Sequence, residues 1–266
     1  MEKTCFSHTF VVCAYKENEY LLECILSLIN QSIKSMIICS TSTPNSYISG
    51  ICDEYNIPLH INPQSQGIAA DWNFAMSLAK TELVTLVHQD DVYEPDFLEK
   101  TQEYFKKSKK PLICFTNLYQ IRNGKRVEKN AVLFVKRFLS LPWRIRFLWK
   151  SRFVARRIFS FGNPVSCPSV TFSLNNLPKS FKFNTDYKTN CDWLAWIEIR
   201  DLKGDFIYIP KKLVGNRIHS ESETTKLINN NTRSIEDLKL LEILSPKPVA
   251  KLIYFFYKSG QKGNQQ

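Results

Sequence analysis

Short apolar runs rich in β-branched residues alternate along this chain with stretches whose apolar positions recur at helical spacing. Phe10–Ala14, Met36–Cys39, Leu59–Ile61 and Leu83–Val87 read as buried strands. Between them, Leu21, Leu22, Ile25, Leu28 and Ile29 mark one helix, with Asn18 as its candidate cap, and a second helix runs through Ile48–Tyr55. A third opens at Gly67 and runs to Lys80. Such alternation predicts a largely parallel sheet with right-handed crossovers. Farther on, Pro111–Gln120 reads as a strand followed by a hairpin-like turn over Arg122-Asn123-Gly124-Lys125. Pro164–Phe172, Phe206–Ile209 and Leu213–Ile218 read as later strands, the last ending at His219. Thr189–Arg200 predicts a helix whose Trp193 and Trp196 suit a core, Thr224–Leu244 a long helix, and Lys247–Lys258 an amphipathic tail. The expected class is α/β, a mostly parallel central sheet flanked by helices, with a basic helical insertion and a C-terminal helical tail.

The run Leu83–Val87 organises the rest, because it stops at His88, Gln89, Asp90 and Asp91. A strand delivering two adjacent carboxylates to its C-terminal edge puts them where open α/β sheets bind ligands. Two like charges so close raise one another's pKa unless a cation neutralises them. Hard oxygen ligands favour Mg²⁺ or Mn²⁺, and such an ion would hold a diphosphate. In the competing reading, Asp90 and Asp91 cap a turn before a helix that Pro95 starts and Phe97, Leu98 and Phe105 face inward.

Composition narrows the partners. A chain of 266 residues with 44% hydrophobic and 13% aromatic content can bury a full core and is not a disordered protein. Glu17 and Glu19 interrupt the first apolar run, so no signal core is expected, and no stretch of about 18 apolar residues predicts a membrane span. Eight cysteines without a C-x-x-C pair speak against zinc and against a disulfide scaffold, and fit buried thiols in a reducing cytoplasm. The net charge of +11 is local: residues 129–185 hold eleven of the 36 lysines and arginines and no acid, and the other 25 match the 25 acids. With eight glycines, the first at Gly50, neither G-x-G-x-x-G nor a P-loop is encoded, so bound phosphates must be held by metal and side chains.

Taken in order, the motifs resemble the family 2 glycosyltransferases, which have the GT-A fold. Val11-Val12-Cys13-Ala14-Tyr15 and its leucine-rich helix resemble the opening strand and helix of that family. Gly67 with Asn73 is similar to its G-x-x-x-x-x-N element, and Val87-His88-Gln89-Asp90-Asp91 stands where the family carries D-x-D. Cys191-Asp192-Trp193 resembles the E-D-W helix start that supplies the base, and Arg217-Ile218-His219 a late R-x-H element that closes over the diphosphate. Three departures stand out: His88 replaces the first acid of D-x-D, Ser40-Thr41-Ser42 replaces the acidic pair after the second strand, and Cys191 replaces the Glu before the base. The resemblance implies a GT-A domain over residues 1–225, with a basic helical insertion at 129–163, followed by C-terminal helices and tail at 226–266.

It further implies an inverting, metal-dependent transfer of a sugar from a nucleotide-sugar donor to a glycan acceptor, expected to be lipid-linked, in cell-surface polysaccharide biosynthesis. Asp192 would be the catalytic base, or else a plain helix cap. Asp90, Asp91 and His219 would bind a divalent cation, Mn²⁺ or Mg²⁺, although His219 could equally be a surface histidine. Ala14, Tyr15, Ser40, Gly67, Asp71, Asn73, His88 and Gln89 would line the donor site, with helix capping the competing role for Asp71.

In the segment Lys136–Arg157, Trp143, Phe147, Val154 and Ile158 would form one apolar stripe on a single helix, flanked by Arg and Lys. Three roles compete for it: docking on an anionic membrane surface, nucleic-acid binding, and ordinary packing with a solvated face. The membrane role is preferred, since a lipid-linked acceptor would require it; this places the protein in the cytoplasm, peripheral on the inner face of the plasma membrane, with no nucleic-acid partner expected. A nucleotidyltransferase would need a Gly-rich loop where the chain has Ala14-Tyr15-Lys16-Glu17. The rival of another class is a catalytically silent nucleotide-sugar or nucleic-acid binding protein, which His88 and Ser40–Ser42 favour.

Overall fold

The computed structural model describes residues 5–64, 67–219 and 232–261, with side chains through Phe255. Four strands, β1 (His8–Ala14), β2 (Met36–Thr41), β3 (Leu59–Ile61) and β4 (Leu83–His88), run parallel in the spatial order β3-β2-β1-β4. The helices α1 (Leu21–Ile29), α2 (Ser46–Glu54) and α3 (Ile68–Leu78) make the crossovers. Phe10, Val11, Val12, Val84, Leu86 and Val87 are fully buried, as strands covered on both faces require. Pairing of Cys13 with His88, and of Ala14 with Thr41, brings the C-terminal ends of β1, β2 and β4 level at one edge.

Beyond β4 the sheet continues through β8 (Val170–Ser173), β6 (Pro111–Arg122), β9 (Asp205–Ile218) and the two-residue β5 (Val92–Tyr93), with β7 (Lys125–Val127) paired off β6. Here β8 lies antiparallel between β4 and β6, whereas β9 runs parallel to β6. The β6–β7 turn has Asn123 and Gly124 at φ 49° and 70°, the left-handed pair that a tight hairpin needs. The helix α4 (Phe97–Phe105) starts just after Pro95, with Asp96 at its N-cap.

Several expectations are corrected. Asn18 does not cap α1; its side chain accepts the Tyr20 N–H at 2.9 Å and its carbonyl the Leu21 N–H, so it shapes the preceding turn. Phe206–Ile209 and Leu213–Ile218 are one strand, β9, because register shifts around Asn117 absorb Pro210 and the Asn117 amide donates to the Pro210 carbonyl at 3.3 Å. The long C-terminal helix is described as α8 (Thr232–Leu244), so its expected start at Thr224, like the boundary at 225, falls outside the described residues; the tail is a helix, α9 (Lys247–Gln261).

The largest correction concerns Lys136–Arg157, which is not one helix. It divides into α5 (Ala131–Ser140), 3-10 turns at Leu141–Arg144 and Arg146–Lys150, and α6 (Arg152–Phe159). Pro142 sits in the first turn of one break, and extended backbone at Ile145 and Ser151 makes the others, with Ser151 capping α6 through the Val154 N–H. The supposed stripe is scattered: Trp143 and Ile158 are buried while Phe147 projects into solvent. Trp143 stacks on Phe206 and meets Phe115 edge-on, and its carbonyl accepts the Trp149 indole N–H at 2.7 Å, so both tryptophans belong to the core.

Candidate active site

The level edge of β1, β2 and β4 forms the floor of the site. As β4 ends, Gln89 turns back on β1: its Oε1 accepts the Tyr15 N–H at 2.9 Å and its Nε2 donates to the Tyr15 carbonyl at 2.8 Å. This reciprocal pair fixes the backbone just past Ala14. The next amide, Lys16 N–H, donates to Thr43 Oγ1 at 2.6 Å, with Lys16 held at φ 55°. Ser40, buried beside Cys13, hydrogen-bonds the Cys13 thiol. Gly67 is the N-cap of α3 at φ 99°, a conformation that favours glycine.

Asp71 lies in the first turn of α3 yet caps no helix. One oxygen accepts from Ser42 Oγ at 2.9 Å and the other from Asn62 Nδ2 at 2.8 Å, so Asp71 ties the loops after β2 and β3 together. Asn73 is engaged at both ends of its amide by the Phe183 backbone, at 2.8 and 2.7 Å, and anchors that loop on α3. His88 stacks on Trp72, 5.1 Å between centroids and 24° between planes, and burial holds its pKa below the usual imidazole range although the Asp90 charge pulls upward.

The end of β9 closes over the end of β4. Asp91, fully buried, accepts both the Arg217 N–H and Asn216 Nδ2 on Oδ1, each at 3.0 Å. Arg217 Nε donates to the Asp90 carbonyl at 3.0 Å, its outer nitrogen pairs with Glu23 of α1, and its guanidinium lies over the Tyr20 ring at 4.1 Å. His219 Nε2 reaches Asp90 Oδ2 at 3.0 Å. Burial pulls the Asp90 carboxyl upward, but the His219 hydrogen bond and the nearby imidazoles outweigh it and leave the pKa below its ordinary value. Asp91 goes the other way, pushed well up by burial and then by the Asp90 charge. The two adjacent carboxylates therefore differ: Asp91 locks β9 onto β4, and Asp90, the more exposed of the two, meets His219.

The pair stands in a turn, with the Asp91 N–H donating to the His88 carbonyl at 3.1 Å, and α4 starts farther on at Phe97 with no side-chain cap. His88, Asp90 and Asp91 each offer one ligand atom, and the three atoms lie within 4.8 Å of one another. His88 Nε2 and Asp91 Oδ2 are buried with no hydrogen-bond partner among the described residues. Two orphaned buried polar atoms beside the Asp90 carboxylate fit a divalent cation.

Asp192 sits in the first turn of α7 (Cys191–Arg200). The N-cap of α7 is Asn190, so Asp192 is not the cap; its Oδ1 accepts the adjacent Trp193 N–H at 2.6 Å and its Oδ2 accepts Asn163 Nδ2 at 3.2 Å. Burial raises its pKa above the ordinary carboxylate value, opposed by the Trp193 N–H and by the charges of Lys136 and Arg233. Lys136, donating to Ser166 Oγ at 2.6 Å, is itself pulled down to about 8 by burial. The buried Cys167 thiol is raised first by burial and then by the charges of Asp192 and Asp91, which places both carboxylates in its surroundings.

Sequence reasoning missed the supports. Glu236 of α8 accepts the N–H groups of Lys188, Thr189 and Asn190 at 2.7 to 3.0 Å, and Asp237 accepts Asn190 Nδ2 at 2.9 Å. A carboxylate from α8 thus holds the loop that positions Asp192, although the residue before Asp192 is Cys191. Trp72, Glu23 and Tyr20 likewise act only through tertiary contact. Arg217 alone had a signal, its place in Arg217-Ile218-His219. Trp193 and Trp196 are core, fully buried as expected.

A stability prediction separates the neighbouring carboxylates. Asp91→Ala strands Asn216 and the Arg217 N–H, and is expected to cost about 2–3 kcal/mol. Asp90→Ala, which loses only a part-exposed contact to His219, is expected to cost about 1 kcal/mol or less. Urea unfolding of the two variants checks this, and equal losses would contradict the division of roles.

The sequence model described as "Glycosyl transferase family 2" matches residues 9–161. An "Uncharacterized glycosyltransferase" of Haemophilus influenzae is 24% identical over 288 residues, covering 95% of this chain and 86% of its own. Among solved structures, the mannosyltransferase PcManGT from Pyrobaculum calidifontis, in complex with GDP-Man and Mn²⁺, superposes with a TM-score of 0.65 at 14% identity, over 98% of this chain and 72% of that one. S. aureus TarS 1-349 superposes at 0.62 with 13% identity, over 93% and 69%, and its complex with UDP-GlcNAc at 0.59, over 93% and 70%. These structural likenesses are of fold, and the fold is the GT-A-like one that the motif order implied. With the family match spanning more than half of the chain, this protein belongs to glycosyl transferase family 2 and is a glycosyltransferase.

Proposed function

We propose that the protein is an inverting, divalent-cation-dependent glycosyltransferase that moves a sugar from a nucleoside-diphosphate sugar to a lipid-linked glycan acceptor in cell-surface polysaccharide biosynthesis. The observation that carries this reading is the convergence of Asp90 from β4 with Arg217 and His219 from β9, beside the orphan ligand atoms of His88 and Asp91. The solved neighbours bind GDP-Man with Mn²⁺, and UDP-GlcNAc, which supports a nucleotide-sugar donor.

In this reading the donor's nucleoside lies along Ala14, Tyr15 and Ser40, with Gly67 at its border. Asp71 and Asn73 shape that wall through Ser42, Asn62 and Phe183, so their contribution is to position it. His88, Asp90 and Asp91 would hold the cation, with His219 as a further ligand or a diphosphate contact. When bound, the ion would neutralise the leaving diphosphate. Asp192 would take the proton of the acceptor hydroxyl as its oxygen bonds to the anomeric carbon and the nucleoside diphosphate departs. Burial makes Asp192 a stronger base than an exposed carboxylate. Holding both substrates in line supplies the rest. The site of action would be the cytoplasmic face of a membrane; no helix among the described residues is long and apolar enough to cross one.

Thermal-shift screening against a panel of nucleotide-sugars, with Mn²⁺ or with chelator, tests the donor assignment. One nucleotide class should raise Tm only with the cation present. No response to any nucleotide would contradict the reading, and binding without turnover would favour the silent binder.

A further inference from the structure

We infer that α5, the turns after it and α6 form an interfacial docking surface for an anionic lipid bilayer, with phenylalanines rather than tryptophans as the inserting groups. The inference rests in part on the proposed lipid-linked acceptor. Its structural basis is an inverted helix. On α5 and its C-cap, Phe134, Val135, Phe138 and Leu141, at the spacing of one helix side, are exposed, and the Phe134 and Phe138 rings stack 6.4 Å apart. The cations of α5 point the other way: Lys136 donates to Ser166, and Arg137 to Asn117 and the Leu118 carbonyl.

Phe134, Phe138, Phe147 and Phe153 are 61–69% exposed. Every exposed phenylalanine among the described residues lies in 134–161 or at Phe255 of α9, a helix that packs against α5. Apolar side chains so concentrated are unusual on a free surface and mark an interaction site. The charge around them selects the partner. Arg144, Arg146, Lys150, Arg152, Arg156 and Arg157 are all exposed between and beside these phenylalanines, in a stretch from 129 to 185 without an acid. Exposed apolar groups that can sink to the acyl boundary, interspersed along the chain with exposed cations, match an anionic membrane. Duplex nucleic acid would use the cations and leave the rings idle, and a second copy of this face would set cation against cation.

The same α5 that presents its rings outward presents Lys136 inward to Ser166, three residues along the chain from Asn163, whose amide donates to Asp192 at 3.2 Å. Docking through this helix would bring the proposed base toward the bilayer, where a lipid-linked acceptor hydroxyl would be found.

Vesicle co-sedimentation of the full chain tests the inference. The protein should pellet with equimolar phosphatidylcholine and phosphatidylglycerol and not with phosphatidylcholine alone. Changing Arg144, Arg146, Arg152 and Arg156 together to Gln should weaken binding by about 600-fold, from a contribution of about fivefold per cation. Changing Phe134, Phe138, Phe147 and Phe153 to Ser should abolish the part of the binding that survives high salt. Both variants should keep the cation-dependent Tm response to nucleotide-sugar. A chain that binds nucleotide-sugar but ignores anionic vesicles overturns this inference alone, as does steep salt-dependent binding of single-stranded RNA instead, or a dimer in solution that loses its partner when the phenylalanines are changed. Loss of the nucleotide response in the wild type overturns the proposed function instead.

Discussion

Asp90→Ala is expected to lower turnover by about 10³-fold or more while the protein stays folded. A divalent cation contributes several kcal/mol to a developing diphosphate charge, and each 1.36 kcal/mol is a factor of about ten. Asp90 is the ionised member of the carboxylate pair, held by His219 at 3.0 Å and by its own backbone N–H. The elements around it are held by other groups: Asp91 locks β9, and the Asp90 carbonyl that receives Arg217 survives the substitution. Activity should therefore fall without a matching loss of fold. Product release measured with Mn²⁺ titrated over a wide range checks this, because extra metal should recover part of the activity of a weakened site. Wild-type turnover in the variant would remove Asp90 from the mechanism.

Asp192→Asn should reduce turnover on the order of 10² or more, the scale of a lost general base, with donor affinity near normal. The pH dependence carries the sign of its environment. Its pKa is raised in the folded chain, so the basic form is lost as pH falls through that raised value, and the acidic limb of turnover should lie above that of an ordinary carboxylate. Stability runs oppositely. A carboxyl whose folded pKa exceeds its unfolded one disfavours the fold when ionised, and that penalty is relieved as pH falls through the folded pKa. Asp192→Asn, which lacks the penalty, should be at least as stable as the wild type near neutral pH, with the difference shrinking in acid. Thermal unfolding of both proteins across pH measures it. A variant less stable at neutral pH by as much as the loss of a buried hydrogen bond would make Asp192 a support rather than a base.

The legible parts of the fold were those fixed by local pattern. β1, β2 and β4 are covered on both faces, so each shows as an uninterrupted apolar run, and α1 has one buried stripe on Leu21, Cys24, Ile25 and Leu28. The long β9 was not legible, because Pro210 and two lysines divide it and only a bulge against Asn117 lets it continue. The basic segment misled for a related reason. A helical period fits Trp143 to Ile158 on paper, but Pro142 and the extended residues Ile145 and Ser151 reset the phase, and both tryptophans turn inward.

At the site, residues that follow a strand in sequence were found, since β4 delivers His88, Gln89 and Asp90 as a unit. Residues that act from elsewhere were not. Glu236 lies more than 40 residues from the loop it holds, and nothing in its local sequence sets it apart from the solvated carboxylates around it. Trp72 looks like any apolar helix position until the fold sets it against His88.

The account stands most directly on release of nucleoside diphosphate from a nucleotide-sugar by the full chain, followed with Mn²⁺ or Mg²⁺ and with chelator. It predicts release that requires the cation, quickens when a lipid-linked glycan acceptor is supplied, and all but vanishes in Asp90→Ala. Cation-independent release, or no release from any nucleotide-sugar with acceptor present, would contradict it.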